Sequence, residues 1–157
     1  MQTYERTHSE AVLAMRYSTR YCLLQRRLFA RISSLFLGLE LVAGSAAFAG
    51  WLGNTPALAA ASGLVLAMVA AANIVISPAD KRMLCELQRR RWTALDARAP
   101  TLALDELERE IAQLRLEELP EIESLRQPAF NGAMRENGRT DAEIPLNWRE
   151  RLTAAFA

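Results

Sequence analysis

ISSLFLGLELVAGSAAFAGWL (residues 32–52), GNTP (53–56) and ALAAASGLVLAMVAAANIVI (57–76) decide how this chain folds. Each apolar run is close to the roughly 20 residues that a helix needs to cross about 30 Å of hydrocarbon. Glu40 is the only ionisable side chain in residues 32–76. Two such runs joined by a tight, uncharged turn predict a transmembrane helical hairpin. The competing reading is a pair of buried helices in a soluble bundle. A chain of 157 residues seldom buries two helices that are apolar on every face.

Outward from the hairpin, charge is arranged in blocks. Residues 1–31 carry six arginines against Glu5 and Glu10. Residues 77–100 carry six basic side chains against Asp80, Glu86 and Asp96, and residues 101–127 carry three arginines against eight acids. The net charge of +1 and the mean hydropathy of −0.01 are therefore sums of unlike parts. Arg26, Arg27 and Arg31 precede the first run, Lys81 and Arg82 follow the second, and the turn has no Lys or Arg. The positive-inside rule then puts both termini in the cytoplasm and the turn outside. These five basic residues are the expected contacts to anionic lipid, at roughly 1 kcal/mol each near the surface. Ala47-Phe48-Ala49 matches a signal-peptidase pattern. The long basic segment before it and the second run after it favour an uncleaved signal-anchor.

The remaining segments read as helices, making an all-α membrane protein with long cytoplasmic helical extensions. No Pro or Gly occurs before Gly38, and Leu13, Tyr17, Tyr21, Leu24 and Leu28 recur at helical spacing. One helix is expected from about Ser9 to Leu52, so that residues 1–31 form a basic helix continuous with the first span. Ser77-Pro78-Ala79-Asp80 is a helix start signal, with Ser77 as N-cap. The following helix should present Leu84, Leu87, Arg91 and Leu95 as a face and stop at Ala99-Pro100. Leu104, Leu107, Ile111 and Leu114 form a short heptad-like seam. Pro120 and Pro128 should close the cytoplasmic helices at 77–128. In the rest, 129–157, NGAMRENGRT (131–140) reads as a loop and residues 148–157 as a short helix.

Glu40 carries most of the functional argument. It lies eight residues into the first run, roughly 12 Å along the helix. A charged acid in hydrocarbon costs about 2.5–3.5 kcal/mol or more, so it must face other helices or a watery path, or take up a proton. Ser33, Phe36, Leu37, Ala43, Gly44 and Ala47 share its face. In a symmetric oligomer Glu40 would form a carboxylate ring, with Phe36 and Leu37 as an apolar constriction. The bland alternative is a hydrogen bond that holds helices together. Gly44 is a packing candidate on that face, and Ala59, Gly63, Ala67 and Ala71 set small residues at every fourth position of the second run. Asn73 is an intramembrane polar candidate that can donate and accept across helices. Trp51 is expected at the outer interface.

Catalytic chemistry has little to work with. There is one histidine, His8, expected to be solvated, and two cysteines, Cys22 and Cys85, expected as reduced, buried thiols at similar height. No phosphate-binding loop, nucleophile elbow or metal-ligand spacing is present. The expectation is a protein that is not an enzyme, with no cofactor, no metal and no nucleic-acid partner.

The order of parts, a cytoplasmic helix, two spans with a minimal outer loop and a long helical region, resembles the SLATT families. These are two-transmembrane domains associated with bacterial nucleotide-sensing conflict systems. DKRMLCELQRRRWTALDARAP (80–100), the acidic stretch LDELEREIAQLRLEELPEIESLRQP (104–128), Asn131 and Asn137 look like their post-membrane region. The resemblance implies a homo-oligomeric, pore-forming effector in defence, triggered by a separately encoded sensor or nucleotide-generating protein. The alternative is a non-conducting membrane scaffold or anchor whose cytoplasmic helices dock a soluble partner. An accessory subunit of a transporter is a third reading.

Overall fold

The computed structural model describes residues 6–116 and 121–157. Among them every regular element is helical: α1 (His8–Leu52), α2 (Pro56–Ile76), α3 (Pro78–Arg98), α4 (Leu104–Arg115), α5 (Glu123–Glu136) and α6 (Trp148–Phe156). Short 3-10 turns lie at Ala99–Thr101 and Thr140–Ala142. Two helices are long and apolar enough to cross a membrane, and almost nothing of their apolar windows is buried against protein. The chain divides into two compact units, Met1–Leu28 with Lys81–Ala157, and Phe29–Asp80. The N-terminal segment thus packs with the C-terminal helices, a grouping that charge blocks alone do not reveal.

In the unit Phe29–Asp80, local chemistry sets the connection. Gly53 N–H donates to Ala49 O at 2.8 Å and Thr55 N–H to Gly50 O at 2.8 Å, closing α1. Asn54 takes φ 52°, a left-handed conformation that Asn tolerates. Pro56 then opens α2 at its first position, where its missing N–H costs nothing. Gly50 has a separate role: a Cβ there would lie 2.8 Å from the Ala59 backbone nitrogen. Only glycine permits that approach.

In the other unit, α1 is the central helix and buries two faces. Ala11, Met15 and Cys22 pack with Trp92, Leu95, Ala99, Leu107 and Ile111. Leu24, with half-buried Tyr17, Tyr21 and Leu28, packs with Leu125, Ala129 and Ala157. The expected α4 seam is present, with Leu107 and Ile111 buried and Leu104 and Leu114 packed beside them. Tyr21 ties α1 to the start of α5: Ile122 N–H donates to its oxygen at 2.7 Å. At the other end Asn147 and Glu150 form a reciprocal capping box that opens α6.

Several expectations are corrected. The buried side of α3 is Cys85, Gln88, Trp92 and Leu95, continued by Ala99 in the 3-10 turn, whereas Leu84 and Leu87 are exposed. Hydrophobicity pointed to the leucines, but the 3,4,3,4 spacing of a contact seam belongs to the neighbouring stripe. Ser77 closes α2 instead of capping α3: it takes φ 45°, its N–H donates to Asn73 O, and its hydroxyl donates to Ile74 O. A single residue between two helices leaves no separate N-cap. Pro128 does not end a helix but lies inside α5, and NGAMRE (131–136) is helical and largely buried. The boundary at 128 therefore falls inside an element. Tertiary packing outweighs the Pro and Gly signals here. Asn131 makes two hydrogen bonds to the Ile144 backbone, and Gly132 lets Arg20 pass, its Nε lying 2.8 Å from where a Cβ would be. Pro120 lies outside the described residues. His8 is half-buried, and its Nε2 hydrogen-bonds Ala99 O at 3.1 Å.

Candidate functional site

The unit Phe29–Asp80 brings Glu40 and Asn73 together: Asn73 Nδ2 donates to Glu40 Oε1 at 3.3 Å. Both side chains are half-buried. On α1 the less exposed positions include Phe29, Ser33, Phe36, Glu40, Ala43, Ala47 and Gly50, which alternate by four and three. On α2 they include Ala59, Ser62, Leu66, Val69, Asn73 and Ile76, alternating by three and four. That alternation is the signature of two helices in extended contact. Sequence reasoning singled out Glu40 and Asn73 separately. Their meeting required the register that Gly50 and the turn impose.

The pairing also sets the level of Glu40. Asn73 lies three residues before Ile76, roughly 4.5 Å from the end of α2. Glu40 is therefore level with the last turn of α2. Leu37 is 58% exposed and Phe36 is half-buried. Gly44 is half-buried with open space where a Cβ would stand. The every-fourth stripe divides too: Ala59 and Gly63 are half-buried, and Ala67 and Ala71 are exposed. Four residues turn a helix by about 400°, so such a stripe drifts off any contact face. Trp51 is 72% exposed and stacks on Phe48, with ring centroids 6.2 Å apart.

The basic residues are not equivalent. Arg26 pairs with Glu86 at 3.2 Å, and Arg89 and Arg90 reach the same carboxylate at 2.9 and 3.0 Å. Hydrogen bonds from Arg89 and Arg90 hold the Glu86 carboxyl down at about 2. Arg27, Arg31 and Arg82 are exposed, and Lys81 is half-buried. Glu86 was not visible as a hub because its partners come from both α1 and α3.

Cys22 and Cys85 are free and buried. Burial pushes Cys22 up to about 12, with the nearby Cys85 adding to it, and Cys85 up to about 11. Cys85 Sγ donates to the buried Gln25 Oε1 at 3.6 Å. Neutral, enclosed thiols of this kind are poor nucleophiles. Gln88 Nε2 donates to Leu114 O at 2.6 Å, satisfying a carbonyl at the C-terminal end of α4. Among the described residues no group of three His, Cys, Asp or Glu side chains is placed to hold a metal ion. A groove of about 670 Å³ is lined by Leu13, Ala14 and Tyr17 of α1, Phe130 and Met134 of α5, and Ile144.

No protein-family model, no curated protein and no solved structure matches this chain.

Proposed function

We propose that residues 32–76 cross the bacterial inner membrane twice as a helical hairpin with both termini cytoplasmic. In this reading the chain is a non-enzymatic membrane anchor that presents its helical unit to a partner at the inner surface. The carrying observation is a contrast in cover. Leu41, Leu64, Met68, Ile74 and Val75 are 60–81% exposed along the apolar helices, while the other unit encloses its own two clusters. Side chains that apolar call for an apolar solvent. Within one chain, Asn73 supplies the partner that Glu40 otherwise lacks, which favours a structural role for that carboxyl. A separately encoded sensor or nucleotide-generating protein, as the SLATT resemblance implies, is one form the partner would take.

The second reading is the pore-forming effector of a defence system. It is supported by the half-exposure of Glu40, whose other oxygen has no partner among the described residues. Substituted-cysteine labelling tests the topology. Asn54→Cys should react with a membrane-impermeant maleimide in intact cells, and Arg149→Cys only after permeabilisation. Labelling of both in intact cells, or release of the chain by alkaline carbonate, sinks the hairpin. Ion flux in proteoliposomes separates the readings: flux abolished by Glu40→Gln supports the pore, and absence of flux supports the anchor.

A further inference from the structure

Within the unit Phe29–Asp80 the Glu40–Asn73 pair is only half used. Asn73 Nδ2 gives one of its two N–H groups to Glu40 Oε1 at 3.3 Å. The second N–H of Asn73 and the Oε2 of Glu40 have no partner among the described residues, and both side chains are partly exposed. Under the hairpin reading, on which this inference rests, these groups lie in spanning segments, where hydrocarbon supplies no hydrogen bonds. The open side of the pair is defined. Helix rotation of about 100° per residue puts Ala43 about 60° to one side of Glu40 and Leu37 about 60° to the other. Ala43 is 6% exposed and Leu37 58%. So α2 covers the Ala43 side, and Glu40 is open toward Leu37. Gly44 lies about 40° from Glu40 on that open side, with nothing within 4 Å of where a Cβ would stand. A glycine without close neighbours in its own chain, next to an unfinished carboxylate, leaves room for another helix to approach.

We propose that this helix belongs to a second copy of the chain, and that Asn73 of each copy donates to Glu40 of the other. What each residue lacks, the other still offers: Asn73 has an N–H to give, and Glu40 Oε2 accepts it. Depth agrees. Glu40 and Asn73 are level within one chain, so two copies inserted the same way keep all of these side chains level. A two-fold axis along the membrane normal sets α1 of each copy against α2 of the other, and both contacts then form at once. A contact between the two Glu40 side chains would instead oppose two acids and leave the Asn73 N–H idle. The exposed oxygen of Glu40, which supports the pore reading, is here covered by protein and lines no lumen.

The test coexpresses two differently tagged full-length chains, extracts the membrane fraction in mild detergent and measures how much of one tag is recovered with the other. Wild-type chains should be recovered together. Glu40→Leu in both chains, or Asn73→Leu in both, should lower recovery about tenfold, the size expected for two interhelical hydrogen bonds. Both substitutions replace a polar group by an apolar one that suits hydrocarbon, so the spans persist. The deciding arm puts Glu40→Leu in one chain and Asn73→Leu in the other. The mixed pair keeps one Asn73 facing one Glu40 across the two-fold and should regain about threefold in recovery. A hydrogen bond made only within each chain is lost from both variants and gives no such rescue. Three results overturn the pairing between copies: wild-type chains that do not come down together, recovery that neither variant lowers, or a mixed pair that does no better than the single variants. Failure of the hairpin reading shows separately, as release of the chain from membranes by alkaline carbonate.

Discussion

The two units solve opposite problems with the same helix. In nearly its first half α1 is a core element, with Met15 and Cys22 enclosed by α3 and α4 on one side and Leu24 enclosed by α5 on the other. Beyond Phe29 it meets one neighbour through Ala43, Gly50 and the Glu40–Asn73 pair, and leaves Leu37, Leu41 and Val42 exposed. The first unit encloses bulky side chains such as Met15, Trp92, Leu95 and Leu125. Past Phe29 the second encloses Ala43, Gly50 and Ser62 and leaves Leu41, Leu64, Met68, Ile74 and Val75 exposed. That inversion is expected where the surroundings change from water to lipid, because hydrocarbon gives no drive to hide leucine and a strong drive to pair polar groups.

The sharpest way to break this comparison is to truncate a leucine in each unit. Leu125→Ala removes a fully buried side chain and should destabilise by about 2–5 kcal/mol, seen as a lower midpoint in thermal unfolding of the detergent-solubilised chain. Leu64→Ala, 64% exposed, should leave that midpoint nearly unchanged. Equal effects would mean that the two units are packed alike.

A smaller effect is expected at the glycines of the apolar unit. Gly50→Ala forces a Cβ against the Ala59 backbone, which cannot yield as a side chain would, and should cost about 1–3 kcal/mol. Gly63→Ala meets open space and should be neutral or slightly stabilising, because alanine restricts the unfolded chain. Protease resistance of the paired variants in membranes would show the difference. If Gly63→Ala is the more harmful, the close approach lies elsewhere.

The smallest effect belongs to the water-facing charges. Glu86 sits near 2 in the folded chain against an ordinary 4.5, so its contribution is fully present above about pH 4.5 and is lost as pH falls toward 2. Glu86→Gln should cost roughly 0.2–1 kcal/mol per lost pair at neutral pH and flatten the acid limb of the stability profile over that window. An unchanged acid limb would remove Glu86 as the clamp between α1 and α3.

Much of this fold was legible because composition acts locally. Uninterrupted helical residues predict α1, Gly-Asn-Thr-Pro predicts the turn, and the spacing of Leu104, Leu107, Ile111 and Leu114 predicts the contact side of α4. The misreadings share one cause. Leu84 and Leu87 stand out as a face of α3 because they are the leucines at helical spacing, yet the buried stripe runs through Cys85, Gln88 and Trp92, and Asn131 and Gly132 read as a loop because both residues favour turns. In each case the deciding contact comes from a distant segment: α4 against Gln88, Ile144 against Asn131, Arg20 against Gly132.

The sequence by itself determined α1 to α4 and α6, the position of the turn between the two apolar runs and the separation of apolar from charged segments, since these depend on propensity and on neighbours within a few turns. Only the tertiary structure decided which stripe of each helix is buried, that Glu40 is level with Asn73 near the end of α2, and that residues 6–28 pack with the C-terminal helices. Rotation and register are set by contacts between different segments of the chain, and no local pattern encodes which of two adjacent stripes will meet a partner.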